Sequence, residues 1–219
     1  MKNNLRPLIL RVPEVVDRDS AARWLEKQSE AVKRVTTVAD DGTLLQRPDV
    51  HQGAFVDDSA RLYGAMIVSN GCYVGPMAVI RLDELDTPEP LVIGEWSNIQ
   101  DGAVVHSTTR KIGNRVIIAH QSILHGAVLE DDVSLYIQAV VDGGGTVIGK
   151  GSFLHPGSYV GKGVHVPEGR YVEPGQKVLN QAAAEDLPPV PEAIKKLRDH
   201  VLELNMRHVK TYSELKKYA

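Results

Sequence analysis

The chain lacks most of what marks a protein for secretion, membranes or nucleic acid. Of its 219 residues only Cys72 is a cysteine, so no internal disulfide can form and a reducing compartment, with the cytoplasm as the default location, is expected. Lys2, Arg6 and the apolar run Leu8 to Leu10 are too brief for a signal peptide, and no stretch nears the ~20 apolar residues of a membrane span. Net charge is −3, with Lys and Arg dispersed; without a basic stripe, neither nucleic acid nor an anionic membrane is an expected partner. Aromatic residues make up 5% of the chain, which excludes a broad, ring-filled core. Small molecules and sister subunits remain as expected partners.

What the sequence does have is a period of six. Ile, Leu or Val stands at Leu62, Val68, Val74 and Ile80, then at Ile93, Ile99 and Val105, and again at Ile112, Ile118 and Leu124. The series continues through Leu129, Leu135 and Val141, then Ile148, Leu154, Val160, Val166, Val172 and Val178. Six matches neither the 3.6 of a helix nor the 2 of an ordinary strand; it is the period of hexapeptide parallel β-helices. Each hexad supplies one short flat side and a corner, and three hexads make a triangular coil with the aliphatic residue pointing inward. Glycines after the aliphatic position, as in Ile93-Gly94, Ile112-Gly113, Ile148-Gly149 and Val160-Gly161, suit corners where backbones approach closely.

The expected fold is therefore mainly β: a left-handed parallel β-helix of hexapeptide repeats with an N-terminal helical extension and a C-terminal α-helix. Spacing gives the coil, and its hand comes from what hexapeptide proteins are known to adopt. Residues 1–53 form the extension, with one helix from about Ser20 to Val35, capped by Asp19 or Ser20 and striped by Ala21, Trp24, Leu25, Ala31 and Val32. Residues 54–179 form the β-helix, interrupted by a loop from Leu82 to Leu91 that is rich in Asp, Glu and Pro. Residues 180–219 form a segment in which Pro188, Pro189 and Pro191 lead into a helix with Ile194, Leu197, Val201 and Leu204 on one face.

Three histidines fall inside the repeats. His106 and His125 each follow the inward residue, one coil apart, so they stack at a rung spacing of about 4.8 Å. Two nitrogens on a tetrahedral metal, each bound at about 2.0–2.1 Å, are roughly 3.3 Å apart, which modest convergence provides. His120 takes the third hexad position on another face, up to about 16 Å from His125 along the chain. A second subunit would have to supply it, and threefold association brings unlike faces together. Three neutral imidazoles with an open fourth position let a bound cation lower the pKa of water to about 7.

The segment Asn98-Ile99-Gln100-Asp101-Gly102-Ala103-Val104-Val105-His106, with Ala119-His120-Gln121-Ser122-Ile123-Leu124-His125-Gly126, resembles the metal-site signature of the gamma-class carbonic anhydrases. Arg81-Leu82-Asp83-Glu84 resembles the Arg-x-Asp that precedes it in that family. The resemblance runs from about Val68 to Val178 and implies a homotrimer that interconverts carbon dioxide and bicarbonate at subunit interfaces. It implies Zn2+, with Fe2+ or Co2+ in some members, held by His106 and His125 of one chain and His120 of the next. Gln100 would orient the reactive water and Asn98 the substrate. Arg81, Asp83 and Asp101 would form an interface network, and the bottom-up reading adds that a buried Asp101 needs a cation such as Arg81. The connection Ser107 to Lys111 carries no carboxylate where the family's prototype has its proton-transfer glutamate, which leaves Glu84 as the candidate. Tyr136, where relatives often have glycine, stacks over Ala119 and Gln100, either to donate to bicarbonate or to fill the pocket. Asn205 aligns with a family asparagine near the site.

Other readings stay open. Hexapeptide β-helices also serve as acyltransferases built around one histidine, for which His155 is a candidate, and as noncatalytic metal-binding assembly proteins. Asp142, one coil beyond His125, either orients that imidazole or is a solvated corner. Gly143-Gly144-Gly145 lacks the lysine and the strand–loop–helix context of a phosphate loop and reads as a bulged corner. His51, His165, His200 and His208 have no evident partners, and Trp24 and Trp96 read as packing residues.

Overall fold

The computed structural model describes residues 4–82, 88–106, 108–109 and 111–215. The hexads form a parallel β-solenoid of about seven turns, its strands sorted into sheets of eight, seven and seven. One face holds Arg61–Tyr63, Val79–Arg81, Val104–His106, Ile123–His125, Val140–Val141 and Tyr159–Val160; it is termed the histidine face. A second holds Tyr73–Val74, Asn98–Ile99, Ile117–Ile118, Ser134–Leu135 and Phe153–Leu154 and is termed the helix face. Neighbouring strands pair in register one coil apart, as in Val104↔Ile123, Val105↔Leu124 and His106↔His125.

Every aliphatic residue of the six-residue series lies in one core cluster, none more than 2% exposed. Because strands of two or three residues bury one inward side chain each, the core is a column of Val, Ile and Leu. Stability therefore comes from coil-to-coil burial of that column rather than from any one strand. Corners are built by left-handed residues in columns: Met77, Gln121 and Gln138 have φ of 59, 58 and 57°, with Gly102, Gly157 and Gly175 at the equivalent corners. Gln138 Nε2 donates to Gln121 Oε1 at 2.9 Å, which ties two of these strained corners together. At Gly94 the constraint is close approach, since a Cβ there would lie 2.5 Å from the Gly113 carbonyl.

The extension differs from expectation. The single helix over Ser20–Val35 is two, α1 (Arg18–Glu26) and α2 (Glu30–Val35). Ser29 separates them: its backbone is extended and its side chain accepts from Val32 N, which caps α2. The cap of α1 is Asp17, in a capping box with Ser20, rather than Asp19 or Ser20. An antiparallel sheet of Leu8–Leu10, Leu44–Gln46 and Thr36–Val38 joins them. The solenoid sheets also begin earlier than Ala54, since Leu5–Arg6 pairs with the strand at Leu62 and Pro48–Val50 with the strand at Val68. Leu82 and Leu91 are buried at the ends of the acidic interruption; residues 83–87 within it lie outside the described residues.

At the other end, α3 (Gln181–Glu185), capped by Asn180, brings Ala184 into the core cluster and closes the prism. Helix α4 (Glu192–Leu215) runs along the helix face, but its fully buried residues are Leu202, Asn205 and Val209. The expected stripe Ile194, Leu197, Val201 and Leu204 is only half-buried. The helix is turned so that Leu202 meets Ile117 and Ala119 while Val209 meets Phe55 and Tyr73. No helix among the described residues is long and apolar enough to cross a membrane.

Two outcomes check this packing. Leu135→Ala, at a site with 0% exposure, should destabilise the fold by about 2–5 kcal/mol in chemical denaturation; a loss below about 1 kcal/mol would mean that the column does not carry stability. Cys72 is buried with its thiol donating to Gly94 O at 3.1 Å, and burial pushes its pKa up to about 12. It should resist thiol reagents at pH 8 in the native state and react on unfolding; fast native labelling would contradict its placement.

Candidate metal centre and cleft

His106 and His125 are register partners on adjacent strands of the histidine face, and their rings stack at 5.4 Å between centroids and 23° between planes. The spacing is that of neighbouring rungs, so both imidazoles leave the sheet side by side. His125 Nδ1 lies 3.0 Å from Asp142 Oδ1. The tyrosine Tyr159 donates its hydroxyl to the other oxygen, Asp142 Oδ2, at 3.0 Å. These two bonds, that of His125 first, hold the Asp142 carboxyl below the usual carboxylate range, and the same contact pushes the Tyr159 phenol up. Asp142 is thus a hydrogen-bonded carboxylate in a three-residue relay, which decides between the two readings of that corner.

His120 stands apart, at the corner between the helix face and the histidine face, just before the left-handed Gln121. Its Nδ1 lies 2.9 Å from Asp101 Oδ2, one coil away. The stacking of Asp101 and His120 is as the hexad positions imply. Asp101 is not the buried carboxylate expected, though: its side chain is 49% exposed, and the group beside it is the His120 ring rather than Arg81. Arg81 instead sits in register with His106 and directs Nη2 to His106 Nε2 at 2.8 Å. Asp83 and Glu84 lie outside the described residues.

These residues fit a metal ion in one arrangement only. A neutral imidazole that donates from Nδ1 to a carboxylate, as the contacts of His125 with Asp142 and of His120 with Asp101 allow, keeps its lone pair on Nε2, the arrangement a ligating imidazole needs. Within one chain, among the described residues, no three His, Cys, Asp or Glu side chains are grouped to hold an ion. A three-nitrogen set would need a neighbouring copy to supply the third imidazole, with Arg81 turned away from His106.

Beside His120 a cleft of about 480 Å³ opens between the helix face and α4. Gln100, Asp101 and His120 line its polar end, and Tyr136, Leu204 and Tyr212 line its body. Gln100 Nε2 donates to Asn98 Oδ1 at 2.9 Å, and both amides are almost fully buried. Asn98 Nδ2 has no hydrogen-bond partner among the described residues. Tyr136 packs tilted against Phe153, 5.1 Å between ring centroids, and burial pushes its phenol up, so it is a neutral donor at neutral pH. Asn205 is buried on α4 and lines the same cleft, its amide donating to Val201 O at 2.8 Å.

His155 is not an exposed corner. It is half-buried against Phe153, Tyr136 and Tyr171, its Nδ1 has no partner among the described residues, and burial holds its pKa low. Sequence reasoning missed Tyr159, because only residues following the inward position were followed along the coils and Tyr159 precedes it. It also missed His208, which packs on Tyr73 and Tyr212 and lines the cleft. Two other histidines read as unpartnered have contacts: His51 Nδ1 accepts from Gly53 N at 3.0 Å, and His165 Nε2 lies 2.9 Å from Gly145 O.

Known proteins place this geometry in context. No family profile matches the chain. Carnitine operon protein CaiE of Escherichia coli K12 is 37% identical over 110 residues, 49% of this chain and 54% of that protein, so the chain spans about half the length of the curated relatives it matches. A solved hexapeptide transferase family protein from Anaplasma phagocytophilum is 25% identical with a TM-score of 0.64, covering 76% of this chain and 93% of that one. A Bacillus cereus protein described as a putative acetyltransferase shares the fold, with TM-score 0.66, 22% identity and coverage of 77% and 93%.

The contact that roofs the cleft is testable. Leu202→Asp, which places a charge against Ile117 and Ala119, should raise amide hydrogen exchange throughout α4 while the solenoid core stays protected. Unchanged exchange in α4 would mean that Leu202 does not hold the helix down.

Proposed function

We propose, from the premise that this chain belongs to the hexapeptide-repeat, left-handed β-helix proteins of the gamma-carbonic-anhydrase type, that its homotrimer interconverts carbon dioxide and bicarbonate at metal sites between subunits. The supporting observation is the stacked pair His106 and His125, with His125 held through Nδ1 by Asp142 and His120 held in the same sense by Asp101. Two imidazoles of one chain and one of its neighbour would hold Zn2+, with Fe2+ or Co2+ as substitutes that the same neutral nitrogens accept. When bound in such a set, the ion supplies acidification of a water in its open position and Lewis acidity toward the developing carbonate charge.

The chain's own residues do the rest. Asp142 and Asp101 fix the tautomers of two ligands and keep each Nε2 lone pair available. Gln100, itself held by Asn98, presents its amide at the polar end of the cleft and orients the attacking oxygen. Tyr136 offers a phenolic O–H to the bicarbonate oxygens, an interaction that strengthens as charge develops on them. Arg81, once turned from His106, pairs with Asp101 across the interface. Glu84 is the sequence-based candidate for passing the proton to solvent.

A second reading, acyl transfer by His155, is favoured by one observation: this imidazole is half-buried and burial holds its pKa low, so it stays neutral and able to accept a proton. Catalysis by histidine as a general base generally enlists a group that orients the ring, and His155 is flanked by three aromatic rings instead. The carbon dioxide reading is therefore preferred.

Metal-loaded protein should hydrate carbon dioxide well above a His106→Ala control and bind one ion per subunit; stoichiometric metal without turnover would leave only a metal-binding trimer. Tyr159→Phe, which removes the hydroxyl from Asp142, should weaken metal binding about 3–10-fold and Asp142→Ala about 10–100-fold, read by competition with a chelating dye. Equal affinity in all three proteins would remove the relay from the account.

A further inference from the structure

The cleft beside His120 has room for a ligand larger than carbon dioxide. Its volume of about 480 Å³ falls among small-molecule sites, which run to roughly 300–1,000 Å³. Among the described residues that line it there is a carboxylate, Asp101, and no lysine or arginine.

The polar groups at that end are left mainly as acceptors. Asp101 Oδ2 takes the His120 ring at 2.9 Å, while Oδ1 lies over Gly75, where a Cβ would stand 2.8 Å from it and 3.0 Å from Tyr73 Cε1. A glycine at position 75 thus lets the carboxylate and the Tyr73 ring come close, and after burial the charge of Asp101 helps to push the Tyr73 phenol up. Gln100 spends its amide nitrogen on Asn98 Oδ1 at 2.9 Å, and Asn205 spends its own on Val201 O at 2.8 Å. What each amide offers a ligand is therefore mainly its oxygen, and the Tyr136 hydroxyl can accept as well as donate. A carboxylate and two amide oxygens in a cleft without a basic side chain match a ligand that brings N–H donors and positive charge. An anion would meet Asp101 as a like charge.

The rest of the lining is apolar or aromatic. Val201, Leu204 and Tyr212 of α4 face the same space as Tyr73 and Tyr136, and tyrosine rings can take a cation on their π-faces.

We propose that the cleft binds a primary ammonium with a compact apolar body, R–NH₃⁺, held through Asp101, with the amide oxygens of Gln100 and Asn205 as its other acceptors and its body against Val201, Leu204 and Tyr212. The recognition is independent of carbon dioxide chemistry and needs no bond to be made or broken. An Arg81 that reaches Asp101 across an interface, as proposed above, would share the carboxylate and narrow the preference for charge, but it leaves the amide oxygens and the walls in place.

The experiment titrates the full-length protein at neutral pH with benzylammonium, with its neutral isostere benzyl alcohol and with benzoate, followed by calorimetry and ligand NMR saturation transfer. Benzylammonium is expected to bind at least about tenfold tighter than benzyl alcohol, because charge-assisted hydrogen bonds are roughly twice as strong as neutral ones, and benzoate should bind weakest. Asp101→Asn should cut the margin to about threefold or less and leave benzyl alcohol unchanged. Leu204→Trp, whose indole fills the body of the cleft, should weaken benzylammonium and benzyl alcohol alike. Benzylammonium no tighter than benzyl alcohol or benzoate in the wild-type protein overturns the proposal, whatever the variants do. So does a margin that survives in folded Asp101→Asn, or binding that folded Leu204→Trp leaves intact.

Discussion

The one-coil register of parallel strands is the constraint from which the rest follows. Because each rung places its inward residue directly over the last, a thin column of aliphatic side chains can be sealed from water without rings. The same register carries outward residues over one another, so His125 lies over His106 and Asp142 over His125. A slip of one residue would reverse inside and outside along a whole strand, burying imidazole and exposing leucine. The core therefore enforces the histidine geometry: the energy that selects the register is spread over the entire solenoid, while the side chains that depend on it are few.

The division of faces follows from the same geometry. The histidine face carries a polar column, Arg81, His106, His125 and Asp142, that a single chain leaves partly open. The helix face is covered by α4, and the gap between the two layers is the cleft. His120 stands at the corner where the faces meet, just before the left-handed Gln121. Among the described residues of one chain no three His, Cys, Asp or Glu side chains are grouped to hold an ion, so chemistry that used all three imidazoles would call on a second copy. Within the chain Arg81 rests on His106, its register partner one coil away.

The solenoid was legible in the sequence because its signal repeats: each hexad restates the same inward position, and from Leu62 to Val178 no residue of that series is misplaced. Outward neighbours one coil apart followed by counting, which is why the Asp101–His120 and Asp142–His125 contacts could be expected. Tyr159 could have been found by also following the residues that precede the inward position. Features without a period were not legible. Ser29 divides the N-terminal helix by capping alone, with no glycine or proline to announce it. Leu5–Arg6 and Pro48–Val50 are too short to show a hexad, yet each finds an open solenoid edge. The rotation of α4 depends on the surface beneath it, where Ile117, Ala119 and the stacked Phe55 and Tyr73 select Leu202 and Val209 over the evenly spaced stripe.

The central claim is that each site draws its imidazoles from two chains, and intersubunit complementation tests it most directly. Chains carrying His120→Ala and chains carrying His106→Ala with His125→Ala should each fail to bind zinc tightly as pure trimers. Dissociated, mixed in equal amounts and reassembled, they should recover tight binding at about a quarter of the interfaces, the fraction in which an intact pair meets an intact His120 under cyclic threefold symmetry. A mixture that binds no more zinc than its components, from trimers shown to have exchanged subunits, would contradict the shared site.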